Sequence, residues 1–140
     1  MRESILLFCA EEPALRQKIQ AALLPLKVRL RRFPAEDHGT KLGLLAGMSE
    51  EELTAAGMLD TPRPSSPAGE ITEPMLVFVS LAGERFDRVL ASLRAGGVSL
   101  PNKAVLTPTN CQWTPAELFA ELQQERASIA AAAEARNLTK

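Results

Sequence analysis

The sequence predicts an α/β protein with a three-layer α/β/α architecture and a four-stranded, mainly parallel sheet in the strand order 2-1-3-4. A length of 140 residues with 46% hydrophobic content suits one globular domain, so residues 1–140 are expected to form a single domain. Two continuous apolar runs, Ser4–Cys9 and Met75–Val79, are typical of central strands covered on both faces. A ferredoxin-like α+β fold is the alternative, but its half-covered sheet favours alternating central strands.

The first third of the chain reads as strand, helix and strand. A helix is expected to begin at Pro13, and Pro25 helps to end it. The next strand, Leu26–Phe33, alternates apolar and basic residues, as an edge strand does when it must resist pairing with other chains. The apolar face of the helix consists of Leu15, Ile19, Ala22, Leu23 and Leu26.

The middle of the chain is less regular. Ser49 followed by Glu52 matches a capping box, and Gly57 supplies a stop for the short helix that starts there. Another short helix is expected over residues 41–46. Residues 61–72 are rich in proline and serine and have almost no apolar residue, which is typical of an exposed connection.

The last third repeats the strand, helix and strand order and adds a C-terminal helix. Apolar residues between Phe86 and Leu93 follow helical spacing, and the short strand Lys103–Thr107 comes next. Thr114–Glu117 combines a capping box with a proline at the first helical position. The alanine-rich tail favours helix but offers little area for packing, so we expect it to fray or to contact a partner. The buried stripe of the last helix is predicted to contain Leu118, Leu122 and Ile129.

Composition and motifs narrow the classes of function. A net charge of -1 with 4% aromatic residues argues against a nucleic-acid partner, and the basic residues of the second strand are better explained by edge protection than by phosphate binding. No apolar stretch is long enough to span a membrane. No glycine-rich phosphate loop follows a strand. Cys9 and Cys111 lack CxxC spacing, which favours free thiols and a cytoplasmic location.

Polar residues follow each predicted strand. Because the carboxyl ends of parallel strands share one edge of a sheet, and because ligands of open α/β folds bind at that edge, these residues predict a small polar pocket. The alternative is that the threonines and Asn110 only cap the turn into the last helix. Trp113 either flanks a ligand or packs as the hydrophobic staple of that helix. The residues placed on the edge are Cys9, Glu11, Asp37, His38, Ser80, Thr107, Thr109, Asn110 and Cys111.

The C-terminal half resembles a known family. The run K-A-V-L-T-P-T-N-C-Q-W-T over residues 103–114, preceded by Leu100-Pro101-Asn102, is similar to the family named as domain of unknown function 3783. The resemblance covers roughly residues 75–126. It implies a cytoplasmic bacterial protein and carries no activity, but it directs attention to Lys103, Thr107, Asn110 and Trp113.

The sequence therefore favours a non-catalytic cytoplasmic α/β module that binds a partner protein or a small polar ligand. The alternative is a cysteine-dependent enzyme that uses Cys9 or Cys111 as its nucleophile. No catalytic set, metal site or cofactor is predicted. A homodimer or a protein partner is compatible with the sequence, whereas nucleic acid and membrane are not expected. The predicted ligand-binding residues are Cys9, His38, Lys103, Thr107, Thr109, Asn110 and Trp113.

Overall fold

The computed structural model describes residues 3–57 and 69–138. Most of the predicted connection at 61–72 lies outside the described residues. The helices and strands of the described part are β1 (Ser4–Phe8), α1 (Pro13–Leu23), β2 (Arg29–Phe33), α2 (Leu42–Ala46), α3 (Glu50–Gly57), β3 (Met75–Val79), α4 (Gly83–Ala95), β4 (Lys103–Val105) and α5 (Pro115–Leu138).

The four strands form one sheet in the order β2-β1-β3-β4, which confirms the predicted order. β1 is parallel to β2 and β3 is parallel to β4, but the central pair β1 and β3 is antiparallel. In that pair Ser4 lies opposite Val79, and Phe8 lies opposite Met75. We call the two edges the Ser4 end and the Phe8 end of the sheet. β1 and β2 finish at the Phe8 end, whereas β3 and β4 finish at the Ser4 end.

This central antiparallel pair shows that the prediction of one shared edge of polar residues is wrong. Cys9 and His38 follow β1 and β2, so they belong to the Phe8 end. Ser80 and Asn110 follow β3 and β4, so they belong to the Ser4 end. Continuous apolar strands do not reveal their relative direction, because a strand buried on both faces has the same pattern in either orientation.

Helices cover both faces of the sheet, which confirms the three-layer architecture. α1 and α4 lie on one face of the sheet, where they contact each other. The units β1–α1–β2 and β3–α4–β4 have the same arrangement, and the antiparallel pairing of β1 with β3 puts both helices on the same side. α2 and α5 cover the other face. Burial on both sides explains why all five residues of β1 and of β3 are buried. The first core layer includes Ile5, Leu7, Ile19, Phe78, Val89 and Leu93, and the second includes Leu6, Phe8, Leu42, Val77 and Leu118.

Two predicted capping boxes are confirmed by their hydrogen bonds. At the start of α5, the Thr114 amide donates to Glu117 Oε1 at 2.9 Å and the Glu117 amide donates to Thr114 Oγ1 at 3.2 Å. At the start of α3, the Glu52 amide donates to Ser49 Oγ at 3.1 Å, and the Ser49 amide donates to Glu52 Oε1 at 3.2 Å. These bonds satisfy amide groups that a helix leaves without intrahelical partners.

Two local predictions are wrong. β2 begins at Arg29 rather than at Leu26, because residues 24–26 form a 3-10 turn that Lys27 closes in the left-handed conformation with φ 56°. Ile129 does not belong to the buried stripe of α5, since 68% of it is exposed. Residues 124–132 of α5 are all exposed, so this part of the helix has left the core.

Candidate functional site

A cavity of about 410 Å³ lies at the Phe8 end of the sheet, and we call it the strand-end cavity. β1 and β2 stay paired up to Phe8 and Phe33, and the cavity lies beyond them, where the chain continues toward α1 after β1 and into the 3-10 turn Ala35–Gly39 after β2. Such a crevice at the carboxyl ends of strands is where open α/β folds bind ligands. Its walls include Cys9, Arg16, Arg32, Phe33, His38 and Glu70.

His38 lines this cavity and has a side-chain nitrogen that lacks a hydrogen-bond partner among the described residues. Its ring packs edge-on against Phe8 with centroids 5.9 Å apart, and Phe8 in turn stacks on Phe33 at 5.5 Å. Nε2 of His38 is buried and makes no hydrogen bond with any described residue. Burial lowers the pKa of His38 below its ordinary value, and the neighbouring Asp37 carboxylate opposes this shift. The imidazole is therefore neutral at pH 7.

Cys9 also lines the strand-end cavity but is not activated. The residue adopts φ 58° where the chain leaves β1, and its Sγ donates to the carbonyl oxygen of Ile71 at 3.4 Å. Burial raises the pKa of the Cys9 thiol, and the carboxylates of Glu11 and Glu70 raise it further. A raised thiol pKa means less thiolate at neutral pH, so this position is unfavourable for a nucleophile.

Charged side chains of both signs surround the cavity. Arg16, from α1, donates to the carbonyl oxygen of Ala10 at 3.5 Å. Arg32 is exposed at the end of β2, and both arginines also border an adjoining cavity of about 190 Å³. Glu11 and Glu70 supply the negative charge. Sequence reasoning missed Arg16 and Glu70, because a helical arginine and a loop carboxylate carry no motif that places them beside a strand end, and it assigned Arg32 to protection of the sheet edge.

The turn after β4, at the Ser4 end, uses its polar groups on itself. Asn110 Oδ1 accepts from the Thr107 amide at 2.8 Å, and Thr107 Oγ1 accepts from the Asn110 amide at 3.1 Å. Asn110 Nδ2 donates to the carbonyl oxygen of Val105 at 2.9 Å. Thr109 begins the following 3-10 turn without a side-chain capping bond. Both polar side-chain atoms of the buried Asn110 are therefore engaged within the turn.

Residues 111–113, which follow Asn110 in this segment, join α2, α3 and α5. Cys111 is buried, and its Sγ donates to the carbonyl oxygen of Pro108 at 3.2 Å. Burial raises the pKa of Cys111, although hydrogen bonding to Gln112 and the nearby Lys41 charge partly oppose the shift. Gln112 Nε2 donates to the carbonyl oxygen of Leu53 in α3.

Trp113 links the same segment to α2 and α5. Its carbonyl oxygen accepts from the Leu42 amide at 2.8 Å. Its side chain packs against the core cluster that contains Leu118, the fourth residue of α5 after the Thr114 cap. This position is that of the hydrophobic staple, which supports the structural interpretation of Trp113.

Lys103 lies apart from both groups. It is exposed at the start of β4, opposite Leu76, and borders a different cavity beside α4. The structure thus brings Cys9 and His38 together, places Thr107, Thr109, Asn110 and Trp113 in one segment at the other end, and separates Lys103 from all of them.

A buried polar cluster at the Phe8 end was also missed. Asn102, 0% exposed, donates through Nδ2 to Glu73 Oε2 at 3.1 Å and accepts at Oδ1 from Gln123 Nε2 at 2.7 Å. Arg126 Nη1 donates to the same Oδ1 at 3.2 Å and pairs with Glu73 at 3.3 Å. These bonds connect α5 to the starts of β3 and β4, so the cluster orients the helix.

The chain is a three-layer α/β protein with a crevice at the carboxyl ends of β1 and β2. Residues 74–129 match the model of a family described as a domain of unknown function (DUF3783), which confirms the predicted resemblance. The match runs from β3 into α5, so it contains the Thr107–Trp113 segment but neither Cys9 nor His38. No curated protein and no solved structure gives a significant match.

Within residues 3–57 and 69–138, no three His, Cys, Asp or Glu side chains are grouped so that they could hold a metal ion. In the same part of the chain, none of the helices combines the length and the apolar character needed to cross a membrane.

Proposed function

We propose that this chain is a single-domain, non-catalytic protein of the bacterial cytoplasm, and that it binds a small polar ligand in the strand-end cavity. One observation carries the proposal: Nε2 of His38 is buried in the cavity wall and has no partner among the described residues. Leaving such an atom unsatisfied costs about 1–3 kcal/mol. Because Nε2 has almost no exposed surface, a ligand reaches it when the ring turns toward the cavity, and the hydrogen bond then recovers this cost.

The other walls indicate the chemistry of the ligand. Arg16 and Arg32 offer donors to an anionic group, while Glu11 and Glu70 favour a donor or a cation on the same molecule. Phe33 supplies an apolar surface beside them. A volume of about 410 Å³ is near the lower end of the range for small-molecule sites, about 300–1,000 Å³. A compact polar molecule with both charged and uncharged groups fits this lining.

Thiol chemistry does not favour the cysteine-dependent enzyme. Burial raises the pKa of both Cys9 and Cys111, whereas a cysteine nucleophile needs a lowered one. Both cysteines are free thiols, which supports a reducing compartment. The bacterial and cytoplasmic parts of the proposal rest on this thiol state and on the family resemblance.

A thermal-shift screen followed by calorimetry tests the proposal. The screen uses free amino acids, monosaccharide phosphates and nucleoside monophosphates, and a compound that binds the folded state raises the unfolding temperature. Each hit is then titrated into His38→Phe and Arg32→Met. Both variants should weaken binding by about tenfold, the effect expected for one lost hydrogen bond to a charged or buried group. Arg29→Met is the matched control, because Arg29 is exposed on the same strand and does not line the cavity.

Two results would contradict the proposal. A screen in which no compound stabilises the protein removes its basis. Hits that bind His38→Phe and Arg32→Met as tightly as the parent would place the ligand outside the strand-end cavity.

A further inference from the structure

A second cavity, of about 310 Å³, lies between the C-terminal half of α4, the loop Gly97–Leu100 and the start of β4. We call it the α4 cavity. Its floor is apolar: Leu76 is 0% exposed, Leu93 4% and Val98 7%, and Leu90 is half-buried. None of these residues lines the strand-end cavity.

Two cations border this apolar floor. Arg94 and Lys103 are both exposed residues of the cavity wall, and the wall contains no acidic residue. Within the part of the chain that the structure describes, no hydrogen bond or ion pair joins either cation to another residue. The two positive charges therefore have no neutralising partner among residues 3–57 and 69–138.

The position of Arg94 near the end of α4 is not explained by helix capping alone. A cation in the last turn of a helix does interact favourably with the helix dipole. However, the final carbonyl groups already accept from backbone amides: Ser92 from Gly96, Arg94 from Gly97 and Leu93 from Val98. The guanidinium donors of Arg94 are thus not needed there and remain available at the cavity.

We propose that the α4 cavity binds a small amphiphilic carboxylate. The apolar chain of such a ligand leaves water when it lies against this floor, and its carboxylate accepts a bidentate pair of hydrogen bonds from Arg94 while Lys103 adds a second positive charge. This second site is independent of the ligand proposed for the strand-end cavity.

An amide NMR titration of the full chain with octanoate tests this site. Octylamine, which has the same chain length and the opposite charge, and acetate, which has the charge without the chain, are the comparison ligands. Octanoate should give saturable shifts at Gly97, Val98 and Lys103 at millimolar concentrations. Octylamine and acetate should give no saturable shifts at these amides.

Charge variants that keep the aliphatic stem locate the carboxylate. Arg94→Met and Lys103→Met should each weaken octanoate binding at least about fivefold, because each removes a charge-assisted contact. Arg88→Met is the matched control, since Arg88 is exposed on the same helix and outside the cavity. It should change the affinity less than about twofold. Both test positions are exposed, so the remaining amide signals should keep their parent positions and confirm the fold.

The proposal is overturned by the absence of saturable binding, by equal binding of octylamine, or by unchanged octanoate affinity in both charge variants. Shifts centred on His38 rather than on Gly97 would also overturn it, because they place the carboxylate in the strand-end cavity.

Discussion

The two ends of the sheet carry similar residues but use them differently. At the Ser4 end, Thr107 and Asn110 satisfy each other and the backbone of the turn after β4. At the Phe8 end, the turn after β2 leaves Nε2 of His38 buried, with no partner in the described part of the chain, beside a cavity of about 410 Å³. Polar residues after a strand therefore indicate a ligand site only where local hydrogen bonds leave one of their polar atoms without a partner.

The difference follows from what each turn must do. The chain after β4 turns within a few residues toward the capping box of α5, so side chains such as Asn110 must replace the lost strand hydrogen bonds. The chain after β2 makes the 3-10 turn Ala35–Gly39, whose backbone bonds do not require a side-chain partner. The first turn is closed by its side chains, whereas the second leaves Nε2 of His38 without a partner among the described residues.

Removing the Asn110 side chain should give the largest effect, and it tests the Ser4 end. Asn110→Ala leaves the Thr107 amide and the Val105 carbonyl without their partners, so the free energy of unfolding should fall by about 2–3 kcal/mol. Urea denaturation measures this change.

Thr109→Ala provides the control for Asn110→Ala. Thr109 belongs to the same turn but makes no capping bond through its side chain, so its loss should cost less than about 0.5 kcal/mol. Equal losses in the two variants would mean that the hydrogen bonds of Asn110 are not what holds the turn.

The capping boxes of α5 and α3 should give the next largest effect. Thr114→Ala removes the acceptor for the Glu117 amide and should lower the free energy of unfolding by about 1 kcal/mol. Ser49→Ala removes the equivalent bond at an exposed site and should cost less, about 0.5 kcal/mol. Urea denaturation of both variants compares them. A larger loss of unfolding free energy in Ser49→Ala than in Thr114→Ala would contradict this expected order.

The pH dependence of stability tests the Phe8 end. Burial lowers the folded-state pKa of His38 below the ordinary value of 6.5, so the unfolded chain binds more protons between the two values. The contribution of His38 is thus present above pH 6.5 and is lost as the pH falls through the folded-state pKa.

His38 is the only histidine of the chain, so one variant isolates its effect. Denaturation measured between about pH 5 and pH 7 should show a steeper loss of stability in the parent than in His38→Phe. Parallel curves for the two proteins would show that the His38 imidazole has an unshifted pKa in the folded state.

Thiol reactivity should give the smallest effect. Because burial raises the pKa of both Cys9 and Cys111, iodoacetamide at neutral pH should modify each more slowly than in the urea-unfolded chain. Cys111, 1% exposed, should react more slowly than the partly exposed Cys9. Mass spectrometry over time measures both rates. Faster modification of either thiol in the folded protein would revive the cysteine-dependent enzyme.

Much of the fold was predictable because its signals are local. Continuous burial marks β1 and β3, and the capping boxes at Ser49 and Thr114 mark the starts of α3 and α5. The relative direction of β1 and β3 was not predictable, since their pairing is non-local and both faces are equally apolar. The exposure of Ile129 was missed because helical periodicity does not reveal where the sheet beneath the helix ends.

The candidate site was predictable only in part. Cys9 and His38 follow strands, so their shared location could be inferred from chain order. Arg16 joins them through the packing of α1, which no motif encodes. Whether Asn110 or His38 keeps a free polar atom depends on hydrogen-bond geometry, and this geometry decides which of the two predicted positions is available to a ligand.

The most direct test of the central claim is an amide NMR map of the protein with the compounds selected by thermal shift. The difference between the two ends predicts that shifted amides cluster at Ala10, Phe33 and His38, with the Thr107–Trp113 segment unchanged. Shifts that cluster at Thr107–Trp113 instead would contradict it, because they would make the closed turn of the Ser4 end the binding site.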